Sequence, residues 1–183
     1  IQEDMLKRKL VLLLMLVWLT PMVAFGKIKL PAVIASGMVL QQQTNVMLWG
    51  WAEVGQPVAV TTSWGDSASV VSDIKGRWEV SLNTPVAGGP FSITIASGGE
   101  KVVLNDVLIG EVWFCSGQSN MEFPVGKTAK YWHVGVPNYE QEVAAANFPQ
   151  IRLFTVSQNT AVAPLDTLNG QWLVCNPKNV NGF

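Results

Sequence analysis

The chain has 183 residues, of which 49% are hydrophobic and only 14% are charged, with 12 Lys and Arg against 13 Asp and Glu. The net charge of −1 disfavours a nucleic-acid-binding protein, because phosphate binding needs a basic patch. The low charge also disfavours intrinsic disorder, and the length is sufficient for one or two domains with a hydrophobic core.

The N-terminal segment has the pattern of a secretory leader. Residues 5–26 comprise a basic start, ten consecutive apolar residues (10–19), and small residues, Ala24 and Gly26, before the expected cleavage site. Ten apolar residues are too few for a bilayer-spanning helix, which needs about 20. We therefore expect residues 1–4 to be an upstream remnant and residues 5–26 a cleaved signal peptide of a secreted or periplasmic protein, with no stable membrane insertion afterwards. A retained N-terminal anchor is the alternative.

Residues 27–106 predict an N-terminal antiparallel β-sandwich-like domain. Short segments rich in β-branched and aromatic residues alternate with turns that contain Gly, Pro and Asp. In the segment 91–96, apolar and hydroxyl side chains alternate, which predicts one buried and one solvated face. The predicted strands cover 46–52, 58–62, 68–71, 77–82, 91–96 and 101–104.

Residues 107–183 predict the start of an α/β domain. The stretch 107–115 is almost continuously apolar, which is typical of a strand buried on both faces. Asn138 begins a capping-box pattern before a predicted helix over 139–147, and 151–156 predicts another strand. The order strand, turn, helix, strand is typical of an α/β unit.

The turn after this apolar stretch is the candidate chemical centre. Gly117 permits a tight turn, and Ser119 would begin the next helical element. There, backbone N–H groups and the helix dipole could stabilise an oxyanion. The spacing is similar to a nucleophile elbow but lacks that motif's second glycine. From spacing alone, a purely structural turn remains the more common alternative.

The longer string DVLIGEVWFCSGQSNMEFP, residues 106–124, closely resembles the nucleophile block of the sialate O-acetylesterase family. These proteins are carbohydrate esterases of the SGNH hydrolase type. The resemblance implies a β-rich region followed by the truncated start of an SGNH-like α/β hydrolase domain. It extends to residues 38–41, 49–50, 76–78, 89–91, 151–154 and 172–175.

The resemblance also implies roles for the residues of the turn. Ser119 matches the family's nucleophile, which would attack an acetyl ester carbonyl and form an acetyl-enzyme. Its own backbone N–H would donate to the oxyanion. The surrounding residues match the motif and would serve the oxyanion hole or position the serine. They are Gly117, Gln118, Asn120 and Glu122.

The family's Asp-x-x-His pair, which supplies the base and its orienting acid, is not found in this sequence. The single histidine, His133, lies outside such a context; it is a weak candidate for a substitute base and more commonly would be a loop or partly buried residue. A serine without a base is a poor nucleophile. We therefore expect this chain to be the N-terminal portion of a longer esterase and to have little or no activity by itself.

Several other residues allow two interpretations. Cys115 and Cys175 could form a disulfide in an exported protein or be two buried free thiols. Trp49 and Trp51 share one strand face and could stack on sugars, although core packing is more common for such residues. Glu111 could be buried and paired, or could mark a strand edge. No cluster has the spacing of metal ligands, so neither a metal nor another cofactor is expected.

The sequence therefore predicts a serine esterase that removes O-acetyl groups from a carbohydrate such as sialic acid. The expected partner is an acetylated carbohydrate, not a nucleic acid. An acetyl esterase for another glycan, such as xylan, is one alternative. A non-catalytic carbohydrate-binding β-sandwich module is the other. The sequence leaves open the glycan, the acetyl position and the oligomeric state.

Overall fold

The computed structural model describes residues 27–127 and 134–183, so the leader (5–26) and the remnant (1–4) lie outside the described residues. Within these described residues, the first seven strands form two sheets, and a third sheet, two short α-helices and a 3-10 turn follow. The strands are β1 Val39–Gln41, β2 Asn45–Trp51, β3 Pro57–Thr62, β4 Ser67–Val71, β5 Arg77–Asn83, β6 Gly88–Ser97, β7 Glu100–Gly110, β8 Phe148–Phe154 and β9 Trp172–Cys175. The helices are α1 Tyr139–Ala145 and α2 Pro177–Val180.

The two N-terminal sheets form a sandwich. The larger sheet has the order β1-β7-β6-β3-β4, and the smaller one pairs β2 with β5. Strand β1 runs parallel to β7, whereas the other neighbours are antiparallel. The predicted strands between 46 and 104 are confirmed, and the parallel β1–β7 pair is the departure from a purely antiparallel arrangement.

Alternation along the strands produces the core. In β5 the side chains of Trp78, Val80 and Leu82 are buried, and the residues between them are exposed. They pack against residues of the facing sheet, including Val60 and Ile95. Because alternate side chains point to opposite faces of a strand, this pattern allows one buried layer between the two sheets.

The predicted strand over 107–115 is correct only in its first part. Val107 and Ile109 are buried in the sandwich as part of β7, which ends at Gly110. The predicted burial of the remainder is wrong, since Trp113 is 85% and Phe114 90% exposed. These side chains project beyond the sheet, and nothing in residues 27–127 and 134–183 covers them.

The C-terminal unit differs in detail from its sequence prediction. Helix α1 ends at Ala145, two residues before the predicted end, and the predicted capping box is wrong because Asn138 is left-handed (φ 59°) with no side-chain cap. Strand β8 pairs antiparallel with β9, so within the described parts of the chain the two form a separate small sheet. No helix within 27–127 or 134–183 is long and apolar enough to cross a membrane.

Candidate active site

Ser119 begins a single 3-10 turn, Ser119–Glu122, and its side chain is exposed. Met121 N donates to Gln118 O over 2.8 Å, which closes the turn. Gln118 is extended (φ −107°) and makes no side-chain cap hydrogen bond. Among the described residues, the N–H groups of Ser119 and Asn120 have no acceptor, so both are available to an incoming oxyanion.

The motif residues predicted from the sequence all lie in the exposed stretch 117–122: Ser119, Asn120 and Glu122 belong to the turn, and Gly117 and Gln118 directly precede it. At Gly117 an added Cβ would lie 3.0 Å from Met121 Cγ, so a larger residue would require that exposed side chain to move slightly. Glu122 accepts a hydrogen bond from Gln158 Nε2, in the loop that follows β8. That contact connects the serine turn to the C-terminal unit.

Downstream of the turn, the chain is held by backbone hydrogen bonds to its C-terminal residues. Val125 N donates to Phe183 O and Gly126 N to Asn181 O, both over 2.9 Å. Val136 N donates to Val125 O over the same distance. The segment at Val125 and Gly126 therefore joins three stretches of chain behind the serine turn.

Upstream of the turn, Glu111 is exposed but not free. Gln41 Nε2 donates to Glu111 Oε2 over 3.0 Å, and Gln42 Nε2 donates to Oε1 over 2.7 Å. These bonds, that of Gln42 above all, lower the pKa of the Glu111 carboxyl. The sequence left open whether Glu111 is buried and paired or marks a strand edge. The structure shows an exposed, paired Glu111 directly after the end of β7.

An ion pair joins the sandwich to the C-terminal unit. The Arg152 guanidinium donates through its two terminal nitrogens to the two oxygens of the Asp106 carboxylate, at 2.7 and 3.1 Å. It also donates to Gly37 O (3.3 Å) and Pro149 O (3.2 Å). The Arg152 side chain is 6% exposed and that of Asp106 51%. These bonds from Arg152 lower the pKa of Asp106.

Two tryptophans form further hydrogen bonds between the units. Trp172 Nε1 donates to Val33 O over 2.8 Å, and Trp49 Nε1 donates to Asp166 O over 3.1 Å. Trp49 and Trp51 lie half-buried on the outer face of β2. Trp49 packs against the hydrophobic core while its indole N–H holds the loop at Asp166, which favours the packing interpretation over sugar stacking for this residue.

Both cysteines are free thiols in this structure. Cys175 is buried beside Ala146 and Leu153, as expected for a small hydrophobic residue. Cys115 is exposed, so its predicted burial is wrong, because β7 ends before reaching it. His133, the weak candidate for a base, lies outside the described residues. Residues 27–127 and 134–183 contain no group of three potential metal ligands.

A pocket of about 540 Å³ opens beside β8 and β9. Its lining combines Leu153 and Leu173 with the polar side chains of Ser157, Lys178 and Asn179. Ser119 is not part of this lining. The pocket therefore does not include the candidate nucleophile, and the serine turn stands by itself as the candidate site.

The fold and the turn define a β-rich chain in which the sandwich strand β7 leads towards an exposed turn that begins at Ser119. Rat and human sialate O-acetylesterases are 33% and 32% identical to the chain over 144 and 146 residues, which is 73% and 74% of it. The chain belongs to the sialate O-acetylesterase family, which confirms the family predicted from the sequence. It spans about a quarter of the length of the curated relatives it matches.

One solved structure supports the same assignment. A carbohydrate acetylesterase from Xanthomonas citri superposes with a TM-score of 0.76 at 35% identity, covering 86% of this chain and 34% of that one. No family model matches the chain. The similarity therefore includes the sandwich together with part of the C-terminal unit.

Sequence reasoning missed the residues that hold the site in place. Arg152, Trp172 and Gln41 lie in segments that the family resemblance includes, but nothing in the sequence indicated their partners. Gln42 and Gln158 lie outside those segments and had no signal. All five act through partners 36 to 139 residues away in the sequence, and local patterns do not report such pairs.

Proposed function

We propose that the protein to which this chain belongs is a serine esterase that removes O-acetyl groups from a carbohydrate of the sialic acid type, with Ser119 as its nucleophile. The observation that carries this proposal is the exposed Ser119 at the first position of a turn whose backbone N–H groups have no acceptor among the described residues. Relatives named sialate O-acetylesterase and a structural neighbour named carbohydrate acetylesterase support the reaction class.

The chemistry that follows is acyl transfer in two steps. The Ser119 hydroxyl adds to the acetyl carbonyl and loses its proton to a base, and the resulting oxyanion accepts hydrogen bonds from the turn. Collapse expels the sugar alcohol, which takes up a proton, and leaves an acetyl-enzyme. Water then attacks the acetyl-enzyme, which releases acetate and restores the serine.

The other motif residues support this turn. Gln118 supplies the carbonyl that closes it, and Asn120 O accepts from Phe123 N over 3.4 Å. Glu122 connects it to Gln158. We assign these residues, with Gly117, to holding the turn and its N–H donors in position.

None of the residues that the structure describes is a histidine, so none of them offers Ser119 an imidazole base. An unactivated serine hydroxyl is a weak nucleophile at neutral pH. We therefore propose that the 183-residue chain releases acetate slowly by itself and that the full-length gene product supplies the base.

The test is acetate release by the full-length protein from O-acetylated sialic acid and from acetylated xylan, combined with fluorophosphonate labelling. Ser119→Ala should abolish both turnover and labelling. Ser116→Ala is the matched control, because Ser116 is an exposed serine three residues upstream, and it should retain both. Full activity of Ser119→Ala would refute the proposal. Release from xylan alone would establish the alternative substrate.

We also propose secretion or a periplasmic location through the leader 5–26. N-terminal sequencing of the exported protein should begin at Lys27. A mature protein that retains residues 5–26 would establish the membrane-anchored alternative.

A further inference from the structure

The chain leaves the sandwich at Gly110 in a direction that side-chain packing does not set. An added Cβ at Gly110 would meet no atom within 4 Å, and the residues from Glu111 to Glu122 are all exposed. Among the described residues, no hydrogen bond involves positions 113–117. The segment that carries Ser119 is held downstream at Glu122, Val125 and Gly126, and its upstream direction is set by contacts at the exit itself.

The glutamine clamp, defined as Gln41, Gln42 and Glu111, occupies that exit. Strand β1 ends at Gln41, opposite Gly110 in the parallel pair. Beyond that point Gln42 N donates to Gly110 O, and Gln41 Oε1 accepts from Val112 N, both over 2.8 Å. The Gln41 side chain thus replaces the missing strand and extends the ladder after β1 has ended.

Each glutamine amide of the clamp uses both its donor end and its acceptor end. Each donates its NH₂ group to a different oxygen of Glu111, at 3.0 and 2.7 Å. Gln41 Oε1 holds Val112 N, and Gln42 Oε1 accepts from Ala87 N over 2.8 Å. Because an amide has distinct donor and acceptor ends, this arrangement admits one orientation of each side chain.

We infer that Gln41 and Gln42 are positioning residues for Ser119, because they fix the path of the chain between the sandwich and the serine turn. The inference rests on the proposed esterase function. The glutamines act through Glu111 and Val112 and do not touch the substrate. A displacement of the nucleophile by about 1 Å is enough to lower the rate by up to about a hundredfold.

The decisive variant is Gln41→Glu in the full-length protein. It replaces the amide donor with a second carboxylate 3.0 Å from Glu111. The double variant Gln41→Glu/Glu111→Gln restores an amide–carboxylate pair with the donor on the other side. Gln43→Glu is the matched control, because it adds the same charge at an exposed side chain outside the clamp.

We expect Gln41→Glu to lower kcat about tenfold while KM stays within about twofold of the wild-type value. The double variant should recover most of the wild-type kcat, and Gln43→Glu should have the wild-type kcat and KM. A nitroxide on the exposed Cys115 of this chain, with Cys175 buried, should become more mobile in Gln41→Glu and return to wild-type mobility in the double variant.

An unchanged kcat in Gln41→Glu, or a loss that the double variant does not recover, overturns the inference. If wild type releases no acetate from any substrate, the proposed function fails separately. The nitroxide then decides about the clamp: a mobility that rises and recovers supports it, and an unchanged mobility overturns it.

Discussion

Replacing Asp106 by Asn should destabilise the protein although the side chain is half exposed. The substitution removes the counter-charge of Arg152, whose side chain is 6% exposed. Breaking a fully buried pair costs about 3–5 kcal/mol. Two carbonyls still accept from Arg152, and water reaches the Asp106 side, so we expect a loss of about 2 kcal/mol. Asn tolerates the left-handed backbone (φ 57°) at this position.

The assay is urea denaturation followed by tryptophan fluorescence. Glu79→Gln is the matched control, because its partner Arg77 is 33% exposed and Glu79 42%; such surface pairs contribute at most about 1 kcal/mol. Since Arg152 lowers the folded-state pKa of Asp106, the ion pair stabilises the fold above the unfolded pKa of about 4. This stabilisation is lost as the pH falls through the folded pKa. The reasoning would be refuted if Asp106→Asn were as stable as wild type at pH 7 and lost the same amount of stability as wild type when the pH is lowered.

Two further predictions concern packing and thiol access. Gly126→Ala should lower the free energy of unfolding by more than about 2 kcal/mol. An added Cβ would collide with the Asn181 side chain and lie 2.8 Å from the Asn181 backbone oxygen. In Gly110→Ala the new Cβ meets no atom within 4 Å, so the free energy of unfolding should change by less than about 0.5 kcal/mol. Equal melting temperatures for the Gly126→Ala and Gly110→Ala variants would contradict this reasoning. Under native conditions a thiol reagent should modify Cys115 rapidly and Cys175 only on unfolding, and equal rates would show that Cys175 is accessible.

The sequence by itself determined the sandwich strands and the location of the candidate nucleophile. Both depend on local information: the alternation of Trp78, Val80 and Leu82 specifies which strand face is buried, and the string around Ser119 carries the family resemblance. Such patterns lie within a few neighbouring residues, so reading them needs no knowledge of how distant segments meet.

Only the tertiary structure decided what holds the serine turn and which apolar residues are buried. Trp113 and Phe114 have the same apolar character as Val107, yet they are exposed, because burial depends on whether another segment covers a side chain. Arg152 meets Asp106, and Gln41 meets Glu111, across 46 and 70 positions of the chain. Pairs of this kind arise from the way the sheets and loops pack, which no local pattern specifies.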